Sequence, residues 1–368
     1  MLTMHPTLLV GPADWDPARL PKEEFLGRIA ALWRAVDPGI AGLVVYGNPR
    51  DHAELAYLTH ATPKLEPIVA LMARAGETRL LVGGGANMIG AAKPLTWVDH
   101  LLPLRDAGRT VVRWARETGP VAMVNGAAMR FGLRQEIDAA LGVSPPDVTG
   151  LLAAVMRRKS ARELALIREA CTGVQAALRA MRDAQRAGRG ITDTVLAGER
   201  AAWRRGAQDV RSLFGQGGAL VPFTAPDAAP ADPMQVYVAV RHDGYWADGL
   251  ASLSQSPQPG LVAAGALLDE AIALMRPDTP RRVIGDHLAR RAGAERSFFL
   301  SCDRFGGAIG LALPPPGCFN EADEGRFAAG EVYTVRTSAP QGVASALVSA
   351  MVAITEDAHD VLWRGADA

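Results

Sequence analysis

The hydrophobic pattern of this chain changes character near residue 150. Before that point short apolar runs alternate with helical spacings. Residues 23–35 place Phe25, Ile29 and Leu32 on one face, which predicts an amphipathic helix. Residues 42–46, 78–82 and 121–124 are compact apolar runs of the kind that form buried strands. Helices set between strands predict an α/β domain with a partly parallel sheet. Gly83-Gly84-Gly85 ends the second run. It lacks the Lys-Ser/Thr ending and wider glycine spacing of a phosphate loop, and so reads as a turn.

Pro145-Pro146 and the basic run Arg157-Arg158-Lys159 mark a boundary, giving predicted domains at 1–155 and 156–368. Ser160 and Glu163 have the spacing of a capping box. Leu164, Ile167, Cys171, Val174, Leu178 and Met181 then recur at three- and four-residue steps, which predicts a long helix packed on a sheet. Cys171 lies on that stripe and reads as a core thiol. Gly188 and Gly190 end the helix, and Thr192 is the predicted cap of the next, which runs to about residue 204. Residues 235–248 read as two strands joined by a tight Asp243-Gly244 turn. A helix over 260–275 and strands over 331–337 and 346–354 complete an α+β pattern.

Charge narrows the function classes. Lys plus Arg and Asp plus Glu both number 39, so no broad field favours nucleic acid or an acidic membrane. Neither is expected as a partner. Cys171, Cys302 and Cys318 are the three cysteines and none forms a Cys-x-x-Cys, which argues against a disulfide framework or a zinc knuckle. No basic-then-apolar leader and no membrane-length apolar run stands out, so a cytoplasmic location is expected.

Several segments, taken in order, resemble the creatinase, aminopeptidase P and prolidase family. Tyr57-Leu58-Thr59 resembles the Tyr-Leu-Thr-Gly of a creatinase-type N-terminal domain, with His60 in place of the glycine. Lys159-Ser160 resembles the Lys-Ser start of the catalytic domain, and Gly244-Tyr245-Trp246-Ala247-Asp248 its Gly-Tyr-x-Ser-Asp. Gly306-Gly307-Ala308-Ile309-Gly310-Leu311 resembles Gly-His-Gly-Ile-Gly-Leu. Residues 330–336 follow the Gly-Met-Val-x-Thr-Ile-Glu frame, and Ile354-Thr355-Glu356-Asp357 the Val-Thr-Glu-Asp close. The resemblance implies a creatinase-like α/β N-terminal domain, an α+β pita-bread C-terminal domain and a homodimer.

It also implies a two-metal site of two aspartates, a histidine and two glutamates, suited to divalent ions such as manganese or cobalt. The matching positions here hold Tyr237, Asp248, Gly307, Arg336 and Ser349. Only Asp248 is a usual ligand, and a guanidinium is protonated at any relevant pH. No metal and no other cofactor is therefore expected. The accessory histidines of the family have no counterpart at 220–224 or at Pro314-Pro315-Pro316. Creatinase, which works without metal, resembles the others in having a histidine near the first of these positions.

Two readings stay open. In one, the pocket is repurposed for a small amino-acid-derived or amidic metabolite. Asp248 is then the general base, Tyr237 the proton donor or orienting group, Arg336 the carboxylate clamp and Ser349 a further hydrogen-bonding group. In the other, Asp248 and Arg336 sit on neighbouring strands as a buried ion pair and the protein is a binding or scaffold partner. His60, as a residue lining a cleft between domains or subunits, and Arg304, facing the pocket beside Cys302, are lesser substrate-binding candidates. His242 is expected on the face away from the metal positions, His287 as a partly buried core histidine, and the Arg241-His242-Asp243 cluster as a solvated turn.

Overall fold

The computed structural model describes residues 14–84, 86–215, 232–292, 305–313, 319, 323–341 and 344–365. The chain divides into two compact units, Met1–Met156 and Arg157–Ala368. The first holds α1 (Lys22–Ala35), β1 (Gly42–Gly47), α2 (Ala53–Thr59), β2 (Ile68–Ala73), β3 (Thr78–Val82) and α3 (Ala86–Ala92). It continues with β4 (His100–Pro103), α4 (Ala107–Thr118), β5 (Val121–Val124), α5 (Phe131–Leu141) and α6 (Thr149–Arg157), whose last residue opens the second unit.

The five strands lie in the order β4-β3-β2-β1-β5. β1–β5 and β3–β4 pair parallel, while β2 pairs antiparallel with both neighbours. The partly parallel sheet is thus present. The sequence pattern passed over β2, although its Ile68–Met72 run is as apolar and as buried as β1. Val111, Trp114 and Ala115 of α4 close one side of the sheet on Val44, Leu71 and Met123, forming one contiguous core.

The second unit opens with α7 (Ala161–Arg186). Both bonds of its capping box form: Ser160 Oγ accepts from the Glu163 N–H at 3.2 Å, and Glu163 accepts from the Ser160 N–H at 3.0 Å. The buried stripe runs through Leu166, Ile167, Cys171, Val174, Leu178 and Met181; Leu164 is only half-buried. α8 (Ile191–Trp203) is capped by Gly190, whose backbone is extended, and not by Thr192, which lies within the helix.

β6 (Asp209–Gly215), β7 (Met234–His242) and β8 (Tyr245–Leu253) form a three-stranded antiparallel sheet in sequential order. Asp243 and Gly244 have φ of 44° and 84°, as a two-residue type I′ hairpin requires. After α9 (Pro259–Ala273) and α10 (Arg282–Ala292) come β9 (Gly306–Ala308), β10 (Val332–Gln341), β11 (Ala344–Ile354) and β12 (His359–Arg364). These four strands form a second antiparallel sheet, ordered β12-β11-β10-β9. The order of elements matches the α+β expectation.

α7 covers one face of the β7–β8 hairpin at very close range. A Cβ on Gly173 would stand 2.9 Å from Val240 Cγ1, and one on Gly249 would meet Val174. α9 covers the second sheet, packing Ala264, Leu268 and Ile272 with Val335 and Val352. Side chains join the two sheets where no backbone ladder does. Ser349 Oγ accepts from the Leu250 N–H at 2.7 Å and donates to the Leu250 carbonyl at 3.0 Å, and Ser252 Oγ accepts from the Leu347 N–H at 2.9 Å. Among the described residues no helix is long and apolar enough to cross a membrane.

Candidate functional site

Strand alternation decides which side chains meet. On β7 and β8, Tyr237, Ala239, Arg241, Trp246, Asp248 and Leu250 share the face turned away from α7, as the register pairs Tyr237–Leu250, Ala239–Asp248 and Arg241–Trp246 require. On β10, Thr334, Arg336 and Ser338 share a face, with Ser349 opposite Arg336 on β11.

These faces converge on the Asp248 carboxylate. Its Oδ2 accepts a hydrogen bond from the Tyr237 hydroxyl at 3.2 Å and pairs with Arg336 Nη2. The Asp248 side chain is 0% exposed and that of Arg336 7%, so this is an enclosed ion pair and not a surface contact. The two residues lie on strands of different sheets, where the sequence led us to expect neighbouring strands. The Arg336 guanidinium also sits 5.7 Å from the centroid of the Tyr237 ring. Burial, and then the adjacent carboxylate, push the Tyr237 phenol well above its ordinary range, so it remains a donor. Trp363 Nε1 donates to the Asp248 carbonyl at 3.1 Å and fixes the strand beside the pair.

Asp248 Oδ1, and Thr334 Oγ1 and Ser338 Oγ on the Arg336 face of β10, are buried without a hydrogen bond. Ser349 is fully buried and both of its hydrogen-bonding roles serve the Leu250 backbone. It is a strut between sheets, not a group held out to a substrate. Gly307 pairs with Thr334 from β9 and brings no side chain. Cys171 is buried with its Sγ 3.8 Å from Met351 Sδ. Burial and the nearby Asp248 raise its thiol, which confirms a core role.

Alternation also exposes what the sequence reading missed. Arg241 is not part of a solvated turn: it is 7% exposed, with its guanidinium 5.4 Å from the Trp246 ring centroid. Arg211 reaches the same ring from β6 at 4.6 Å. The Asp248 face therefore carries Arg211 and Arg241, with Arg336 reaching it from the second sheet; the period-2 spacing of 237, 239 and 241 encodes only the placement of Arg241. His242 points the other way, as expected, but it is half-buried and not exposed in a solvated turn, its Nε2 2.7 Å from Glu169 of α7. His287 is half-buried and pairs with Glu270 at 3.0 Å. His60 ends α2 at a φ of 61°. Its Nδ1 is 2.9 Å from the Leu95 carbonyl and its ring meets Phe25 edge-on, both within the first unit. Arg304, Cys302, Cys318 and the stretches 220–224 and 314–316 lie outside the described residues.

No protein-family profile matches this sequence, and no curated relative matches it. Solved structures do. A prolidase from Pyrococcus horikoshii superposes with a TM-score of 0.73 at 14% identity, over 92% of this chain and 97% of its own. Aminopeptidase P from E. coli gives 0.72 at 15% identity, over 93% and 94%. The dipeptidase PepE from Mycobacterium ulcerans gives 0.71 at 18% identity, over 95% and 97%. The fold is that of the prolidases and X-Pro aminopeptidases.

On this pita-bread fold the five positions of the implied metal site hold Tyr237, Asp248, Gly307, Arg336 and Ser349, and that set does not fit a divalent ion. The one carboxylate is already neutralised by a guanidinium, the serine is committed to Leu250, and the glycine offers nothing. A divalent ion ~4 Å from a fixed guanidinium is repelled by about 8 kcal/mol at an effective dielectric of about 20. Among the described residues no group of three or more His, Cys, Asp or Glu side chains is placed to hold a metal. The described residues carry the pita-bread fold, while only one of the five positions of the implied site holds a usual metal ligand.

Proposed function

We propose that this chain is a member of the creatinase and aminopeptidase P family that works without metal, as a binding or scaffold protein and not as a hydrolase. The observation that carries the reading is the engagement of Asp248. The one acid at the old metal positions is fully buried, with Arg336 and Tyr237 both on its Oδ2. The homodimer implied by the resemblance belongs to the same proposal. The test is an assay of X-Pro dipeptides, longer X-Pro peptides and creatine with excess manganese, cobalt or zinc. No turnover above the protein-free blank is expected. Metal-dependent turnover that disappears in Asp248→Asn would overturn the reading.

A second reading, a metal-free enzyme acting on a small amidic metabolite, draws on a separate observation. Asp248 Oδ1 and Thr334 Oγ1 are buried acceptors with no partner, beside a phenol that holds its proton. A substrate donating to both Asp248 Oδ1 and Thr334 Oγ1 satisfies both groups. Turnover of any amide that is unaffected by chelator and lost in both Asp248→Asn and Tyr237→Phe selects this reading over the first.

A further inference from the structure

A second polar constellation lies on the far side of the sheets, between α7 and α9. A groove of about 420 Å³ is lined there by Ala251 and Val348 from the strands and Leu261 and Val262 from α9. Ala251 and Val348 have the parity opposite to Asp248 and Ser349 and point away from the site described above, while Ser252 and Leu347, which also line the groove, join the two sheets there. The volume falls within the range of small-molecule sites. Val262, 74% exposed, gives the groove an apolar lip.

Two arginines reach this groove, Arg182 from α7 and Arg364 from the end of β12, along with one acid, Asp269. Arg364 is already matched. Its Nη2 donates to Asp269 at 2.9 Å and to the Gly265 carbonyl at 3.2 Å, while its buried Nε makes no bond. Arg182 is different. It is half-buried and makes no hydrogen bond or ion pair among the described residues. Its helix neighbours Arg186 and Arg179 add like charge against the one acid Asp183, and burial, then Arg186, lowers its pKa. A guanidinium cannot shed its charge at any working pH. With Arg364 paired to Asp269, Arg182 is the guanidinium lining the groove that has no hydrogen-bonded acid, over an apolar floor.

We propose that this groove binds a small monocarboxylate with a hydrocarbon body, its carboxylate on Arg182 and its apolar part on Leu261, Val262 and Val348. One guanidinium without a bonded acid fits a monoanion. The planar guanidinium fork matches a carboxylate through two parallel hydrogen bonds. The apolar lip and floor select a hydrocarbon over a sugar or a free inorganic anion. The site does not depend on how the Asp248 cluster functions.

The test uses the full chain with sodium octanoate as probe and octanamide as its neutral counterpart, read by calorimetry and thermal shift. Octanoate is expected to bind with a Kd between about 10 μM and 1 mM. Octanamide should bind at least tenfold more weakly. Arg182→Gln should weaken octanoate at least tenfold and leave octanamide unchanged. Ala266→Trp, at an exposed position of α9 lining the groove, should abolish binding of both. Wild-type circular dichroism of each variant separates lost binding from lost folding. Absence of octanoate binding at 10 mM, equal affinity for the two probes, or undiminished affinity in Arg182→Gln each overturns the proposal.

Discussion

Replacing Arg336 by methionine tests the enclosed ion pair directly. The guanidinium is removed while most of the volume of its stem is kept. Asp248, 0% exposed, is left with the Tyr237 hydroxyl as its hydrogen-bonding side-chain partner. Breaking one half of a buried pair costs about 3–5 kcal/mol. Protonation of the stranded carboxyl sets a ceiling on that cost. At pH 7 the free energy of protonating an ordinary aspartate is about 4 kcal/mol, and it falls by about 1.4 kcal/mol per pH unit. The expected loss is thus about 3–4 kcal/mol at pH 7, shrinking to about 1.5 kcal/mol at pH 5. The direction follows from linkage: the folded variant binds a proton that its unfolded chain releases, so the variant loses stability as pH rises. Urea unfolding of the full chain at pH 5, 6 and 7, followed by tryptophan fluorescence, measures it. A loss below about 1 kcal/mol at pH 7, or one that does not change with pH, would show that Asp248 reaches water and would refute the enclosed pair. The double variant Asp248→Asn, Arg336→Met should lie well above the single one, since a buried pair removed as a unit costs little.

Further outcomes follow from the same geometry. Tyr237→Phe removes a hydrogen bond to a charged acceptor and should cost about 1.5–3 kcal/mol at neutral pH by denaturant titration. Because burial raises the Tyr237 phenol, the wild-type fold should lose stability as pH rises above 10, its unperturbed value, and Tyr237→Phe should soften that loss. Ser349→Ala strips the Leu250 N–H and carbonyl of their partner and should cost about 1–3 kcal/mol. Burial lowers the Lys159 amine to about 8 against the partial compensation of Glu163 and Glu331. Its folded pKa lies below the unfolded one, so the unfolded chain binds more protons between about 8 and 10.5 and stability should rise with pH across that window. Lys159→Met should remove the rise, and mass-spectrometric amine labelling should place the Lys159 midpoint near 8.

Much of the second unit was legible in the sequence because its signals are local. The Ser160–Glu163 box, the Asp243-Gly244 turn and the α7 stripe each need only a few neighbouring residues, and each formed. What stayed hidden depends on distance. That Asp248 and Arg336 meet across two sheets, that both hydrogen bonds of Ser349 go to Leu250, and that Arg211 joins Arg241 on Trp246 are matters of packing between segments far apart in the chain. Arg241 was misjudged for another reason. Charged residues beside a turn read as solvated, yet strand parity alone turned this one onto the ring of its register partner.

The serine stitches between the two sheets bear on how such a molecule can evolve. Restoring a metal centre requires acids at 336 and 349 before any ion is held. Arg336→Glu first sets two carboxyls against each other in a dry interior, and Ser349→Glu cuts the Leu250 stitch and forces a larger side chain into a fully buried position. Each single step lowers stability and none gains metal affinity alone. Neither change alone makes a metal site, so the enclosed ion pair and the Leu250 stitch together hold this centre in its present form against single substitutions.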